Sequence, residues 1–95
     1  MQNPISSWPI FNWNKEKNRI LKEDRNISFE EIIDAISNGN LLDIIINPSR
    51  NHKEQRCFVV GINGYTYLVP YIENEDEIFL KTIIPNRKYK KLLNK

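Results

Sequence analysis

Two adjacent residues, Asn63 and Gly64, constrain this chain more than any other pair. They lie between two apolar runs, RCFVVGI and YTYLVPYI. Asn-Gly in that setting is the strongest short-range signal for a two-residue type I′ hairpin, because both turn positions need a positive φ. The turn also sets a register. Ile62 falls opposite Tyr65, Val60 opposite Tyr67, Phe58 opposite Val69 and Arg56 opposite Tyr71.

The neighbouring segments extend this ribbon into a sheet. LLDIIINP, rich in β-branched residues, reads as a strand that stops at Pro48. SRNHKEQ is a polar loop, ENEDE a second connection, and IFLKTIIP a last strand. Upstream the period changes. In ISFEEIIDAISNGN, Ser28 and Glu31 form a capping box, Ile27 and Ile32 a hydrophobic staple, and Phe29, Ile32, Ile33 and Ile36 recur at helical spacing before Gly39. Before it, FNWN reads as a short strand or turn. A mostly polar helix then starts at the N-cap Asn14 and ends at Asn26. The expected fold is α+β: two N-terminal helices packed on a four-stranded, mainly antiparallel sheet, with room for a short C-terminal helix. At 95 residues the chain is one domain, with residues 1–11 as a loosely ordered arm and 12–95 as the folded part.

If ENEDE is a five-residue loop, Ile72 pairs with Ile78, Tyr71 with Phe79, Val69 with Lys81 and Tyr67 with Ile83. Alternation then places Arg56, Tyr67, Tyr71 and Lys81 on one face. Cys57, Val59, Leu68, Ile72, Ile78, Leu80 and Ile84 line the other face, the natural seat for the helices. The aromatic and charged face is left open.

The net charge is only +2, but it is unevenly spread. Residues 81–95 hold six basic and no acidic residues, and residues 73–77 hold four acids. Such segregation presents a local basic field despite a near-neutral total. Cys57 is alone, which excludes a disulfide framework and a cysteine metal cluster, and its apolar run reads as a buried thiol. The start of the chain has no signal-peptide pattern, and no apolar run reaches a membrane-spanning length. The expectation is a cytoplasmic protein with no membrane contact. Gly61 and Gly64 make no phosphate loop. A Ser49, His52 and Asp43 triad is no more than any polar loop offers.

What the residues do offer is arginine and lysine beside tyrosines, continued by a basic C-terminus. Bases stack on aromatic rings, and guanidinium groups grip phosphates in pairs of hydrogen bonds. RNA cleavage without a metal or cofactor needs the 2′-hydroxyl deprotonated, the phosphorane charge stabilised and the 5′-oxygen protonated. Arg56, Lys81 and Arg87 are the candidates for phosphate and transition-state charge. His52 is the only histidine that could serve as a base near neutrality. Tyr67 and Tyr71 are candidates for stacking or proton transfer, and Lys88, Lys90 and Lys91 for holding RNA backbone. Each residue also has a plainer role, as strand packing, a solvated loop or a solvated tail.

The stretch FNWNKEKNRILKEDRNISFEE resembles the opening of the BrnT family of bacterial type II toxins, small ribonucleases of the RelE-like superfamily. In that family a Trp is followed four residues later by Lys and fifteen later by the Ser of V-S-F-E-E. Trp13, Lys17 and Ser28-Phe29-Glu30-Glu31 stand at those spacings. The family's I-I-S-A-R is similar to Ile83-Ile84-Pro85-Asn86-Arg87, and RCFVVGI with YTYLVPY resembles its central hairpin. The resemblance covers about residues 11–91. It implies a RelE-like toxin domain, cleavage of mRNA either free or on the ribosome, and a cognate antitoxin that inhibits it as a hetero-oligomer. Arg25-Asn26 stands where the family has His-Gly. Asn26 can supply the glycine's conformation, whereas Arg25 cannot replace a histidine in proton transfer. Catalysis by another arrangement and a non-catalytic binding module for RNA or protein both stay open.

Overall fold

In the computed structural model, residues 10–52 and 54–94 are described, the side chain of Asn94 excepted; the proposed arm over residues 1–9 lies outside that range. The elements run β1 (Ile10–Trp13), α1 (Lys15–Arg25), α2 (Phe29–Ser37), β2 (Leu41–Ile46), β3 (Arg56–Ile62), β4 (Tyr65–Glu73), β5 (Glu77–Leu80) and β6 (Ile84–Pro85). A single 3₁₀ turn at Arg50–His52 precedes β3, and consecutive 3₁₀ turns over Arg87–Asn94 close the described chain. The α+β class stands. The sheet has six strands rather than four, in the order β1-β5-β4-β3-β2, with β6 pairing β4 beyond β5. It is mixed, because β1 runs parallel to β5 while the other pairs are antiparallel. Ile10 and Phe11, read as part of the arm, therefore belong to an edge strand.

Local chemistry places both helices. The Asn14 side chain accepts the Lys17 N–H at 2.9 Å, and Asn26, at φ 55°, ends α1 in the left-handed conformation. Ser28 accepts the Glu31 N–H at 3.2 Å. α2 then ends in a Schellman motif: Gly39, at φ 87°, donates to the Ile36 carbonyl and Asn40 to that of Ala35. β1 and β2 lie at opposite edges of the sheet, so the intervening helices must cross one face.

The hairpin register is the one the Asn63-Gly64 turn predicts, from Ile62 opposite Tyr65 to Arg56 opposite Tyr71. Asn63 and Gly64 have φ 52° and 77°. The next register differs by one residue. Asn74 donates to the Glu77 carbonyl at 2.8 Å, so the connection is shorter than five residues. Glu73 then pairs with Ile78, Ile72 with Phe79 and Tyr71 with Leu80. One residue of slip reverses every side chain that follows.

The helices also sit on the face opposite to the expected one. The core joins Leu21, Phe29, Ile32 and Ile36 of the helical layer to Phe58, Val60, Val69, Tyr71, Ile78 and Leu80 of the sheet, with Ile83 just beyond β5. Phe58 and Tyr71 stack at 4.1 Å between ring centroids, and Trp13 stacks on Phe29 at 5.7 Å. Aromatic pairs of this kind are worth about 1 kcal/mol beyond the area they bury. The second face is also closed along β3 and β4, where Cys57, Val59 and Leu68 are buried. Gly61 faces that side, and a Cβ there would lie 2.8 Å from the Leu93 side chain, so the C-terminal 3₁₀ segment crosses close over it.

Candidate nucleic-acid interface

The fold sorts the proposed site residues into separate places. Arg56 opens β3 and pairs with Tyr71, at the end of the ribbon away from the Asn63-Gly64 turn. His52 closes the 3₁₀ turn just before β3, so it belongs to this same end. Arg87 follows Asn86, whose N–H donates to the Thr66 carbonyl at 3.0 Å. Thr66 lies five positions from Tyr71 along β4, roughly 17 Å at strand rise. The fold does not bring Arg56, His52 and Arg87 together.

Lys81 occupies a third place. Its N–H donates to the Pro70 carbonyl at 2.8 Å, inside the break between β5 and β6. Its ammonium lies 5.6 Å from the Phe79 ring centroid, and Phe79 is on the face opposite to Tyr71 and Leu80. The expected Arg56, Lys81 and Tyr71 face is thus dissolved by the one-residue register difference. Tyr71 itself is 6% exposed and stacked in the core, which removes it as a platform for bases.

A different aromatic and basic group forms at the other end. Tyr65 and Tyr67 are half-buried and meet edge to face at 5.6 Å. The Lys90 ammonium lies 5.4 Å from the Tyr65 centroid, within cation–π range. Tyr67 pairs with Pro85, two residues before Arg87. Arg87, Lys88, Lys90 and Lys91 are exposed. The Asn86 side chain accepts the Lys88 N–H at 2.8 Å, and the Thr66 hydroxyl donates to the Asn86 carbonyl, so the basic segment is pinned at its start. Arg25 reaches the same stretch, donating to the Ile83 carbonyl at 2.9 Å.

No family model, curated protein or solved structure matches this chain. Assignment of the site therefore rests on its own chemistry.

The segment that carries the BrnT resemblance is built largely from packing and capping residues. Trp13 holds Phe29, Ser28 caps α2, and buried Asn18 joins the two helices. Asn18 accepts the Phe29 N–H and donates to Glu30, both at 2.8 Å. The Asn18 bond comes first in holding the Glu30 carboxyl below its ordinary value. The sequence reading missed one feature here, a cavity of about 420 Å³ between Trp13, Lys15, Asn18, Arg19, Lys22 and Glu30. Arg19 is paired with Glu16 and Glu23 and Lys22 stands 3.8 Å from Glu30, so these cations are largely answered within the helical layer. Among the described residues no group of three or more His, Cys, Asp or Glu could hold a metal ion, and no helix is long and apolar enough to cross a membrane.

Proposed function

We propose that this protein is the toxin component of a type II toxin–antitoxin module, a metal-independent endoribonuclease that cleaves mRNA and is held inactive by a cognate antitoxin. The observation that carries the reading is the acid-free ending, whose Lys90 ammonium lies over the Tyr65 ring, which in turn meets Tyr67 edge to face. Rings flanked by cations suit single-stranded RNA, whose bases stack while its phosphates are neutralised. In the reaction the 2′-hydroxyl loses its proton and its oxygen attacks phosphorus, and the departing 5′-oxygen takes up a proton. Arg87 supplies positive charge to the phosphorane. Tyr67, paired with the strand that leads to Arg87, is the proton-bearing group at that end. Lys88 and Lys91 hold flanking phosphates.

The test is incubation of purified protein with a labelled mRNA in the presence of a chelator. Fragments ending in a 2′,3′-cyclic phosphate are expected, with a loss of about a hundredfold or more in Arg87→Ala. Intact RNA would end the catalytic reading.

The second reading, an RNA-binding module without cleavage, is favoured by one observation. His52 lies at the far end of the ribbon from Arg87, so the only histidine is not beside the basic segment. RNA that is bound, uncut and released equally by Arg87→Ala and Lys90→Ala selects it.

A further inference from the structure

The end of the β3–β4 ribbon that carries Arg56 differs in charge from the end that carries Arg87. A cavity of about 370 Å³ opens there, lined by Glu54, Gln55, Arg56, Tyr71, Ile72 and Glu73. That volume lies in the lower part of the range of ligand pockets. Its walls are not those of an anion site. Glu54 and Glu73 contribute two carboxylates against the single guanidinium of Arg56, and Glu75 and Asp76 follow in the next turn. Among the described residues neither carboxylate, nor Arg56, makes an ion pair. A phosphate approaching Arg56 meets this negative field first.

A second observation is independent of the charges. Tyr71 lines the cavity while only 6% exposed, its ring fixed flat against Phe58. Its hydroxyl has no hydrogen-bond partner among the described residues. The hydroxyl is not sealed from solvent, and this side chain, otherwise buried, lines a cavity whose walls carry net negative charge. Burial, and then the charge of Glu73, push the phenol up from its ordinary value, against a smaller opposing effect of Arg56. It therefore stays neutral and can accept a hydrogen bond from a cation.

We propose that this cavity is a docking site for a basic segment of a protein partner, one of whose arginine or lysine side chains enters it. The cationic head donates to the Tyr71 hydroxyl and lies between Glu54 and Glu73. The aliphatic stem packs along Ile72, which is 39% exposed. Arg56 offsets one of the two carboxylates, leaving a field suited to a single cation. Charge complementarity around a fixed phenol that has no partner among the described residues favours this occupant, whether or not the basic end handles RNA.

The test uses the full chain, titrated with a synthetic peptide of alternating arginine and glycine and followed by amide chemical shifts. Saturable shifts centred on residues 54–56 and 71–73 are expected. Tyr71→Phe keeps the ring stack and removes only the hydroxyl, so it should fold normally and weaken binding about fivefold. The double variant Glu54→Gln, Glu73→Gln should weaken it about tenfold or more, while Glu75→Gln with Asp76→Asn should change it less. The proposal is overturned if the two double variants lose affinity equally, which would mean diffuse attraction to the acidic loop. It is also overturned if Tyr71→Phe binds as the parent does, or if a single-stranded RNA shifts the same residues. Concentration-dependent shifts at these residues without peptide would assign the cavity to a second copy of the chain and overturn it as well.

Discussion

Arg25, in the last turn of α1, donates to the carbonyl of Ile83 at 2.9 Å, across 58 positions of sequence. Ile83 is fully buried in the break between β5 and β6. The bond ties the helical layer to the strand that leads into the basic segment, and it satisfies a carbonyl that no strand pairing reaches. Arg25→Ala should lower stability by about 1–2 kcal/mol, the cost of leaving that carbonyl without its charged donor. A urea midpoint that falls with an unchanged slope is the expected signature. Arg25→Lys should recover part of the loss, since one ammonium can still reach the oxygen.

Asn18 performs a comparable task inside the helical layer. Asn18→Ala removes the acceptor of the Phe29 N–H and the donor to Glu30 together. With Phe29 fully buried and Asn18 5% exposed, a loss of about 2 kcal/mol at neutral pH is expected. The pH dependence has a definite sign. The Glu30 carboxyl is lowered in the folded protein, chiefly by Asn18. Its share of the stability is therefore present above the ordinary carboxylate value of about 4.3 and fades as pH falls through the lowered folded value. The gap between parent and Asn18→Ala should narrow when unfolding is measured below pH ~4. A gap that widens on acidification would contradict the assignment.

These two contacts mark where sequence reading succeeds and where it stops. Short-range chemistry was legible: the Ser28 cap, the Asn26 and Gly39 termini and the whole β3–β4 register follow from residues within a few positions of one another. The choice of sheet face was not. Residues 57–61 of β3 are all buried, so alternation gives no in and out to read. The Tyr71 error follows from that, since the face with Phe58 and Tyr71 proved to be the one under the helices. The Lys81 error has a separate origin, because Asn74 closes the acidic turn early and shifts β5 by one residue. β1 was legible only as a short strand or turn over FNWN, for a third reason. Four residues of mixed polarity on a parallel edge carry no period, and they find their place only through partners near residue 80.

Thr66 is fully buried, and its hydroxyl donates to the Asn86 carbonyl at the start of the basic segment. Thr66→Val keeps the shape and removes that donor. The expected loss is about 1 kcal/mol in global stability, with faster proteolysis after Arg87 and Lys88 as the local signature. Equal cleavage rates in parent and variant would show that the segment is held by other contacts.

The Cys57 thiol lies fully buried in β3, and burial pushes its pKa up to about 11. It stays a neutral thiol across the physiological range, and a neutral thiol is a poor nucleophile. In the folded protein, reaction with a thiol reagent at pH 8 should be at least about a hundredfold slower than in denaturant. A fast native reaction would mean that β3 opens readily.

The basic end offers the sharpest separation of charge from stacking. Lys90 both carries charge and covers the Tyr65 ring, whereas Lys91 is exposed and has no such ring beneath it among the described residues. If single-stranded RNA binds here, Lys91→Ala should weaken affinity and reduce the slope of log K against log salt by about 0.7, the value for one phosphate contact on a single strand. Tyr65→Ala should leave that slope nearly unchanged while costing about 1–3 kcal/mol of affinity, because a stacked base releases no counterion. Lys90→Ala should do both. Measured by fluorescence anisotropy at several salt concentrations, the three variants distinguish a stacking platform from a merely cationic tail. A merely cationic tail would give equal slope changes in the two lysine variants and no loss of affinity in Tyr65→Ala.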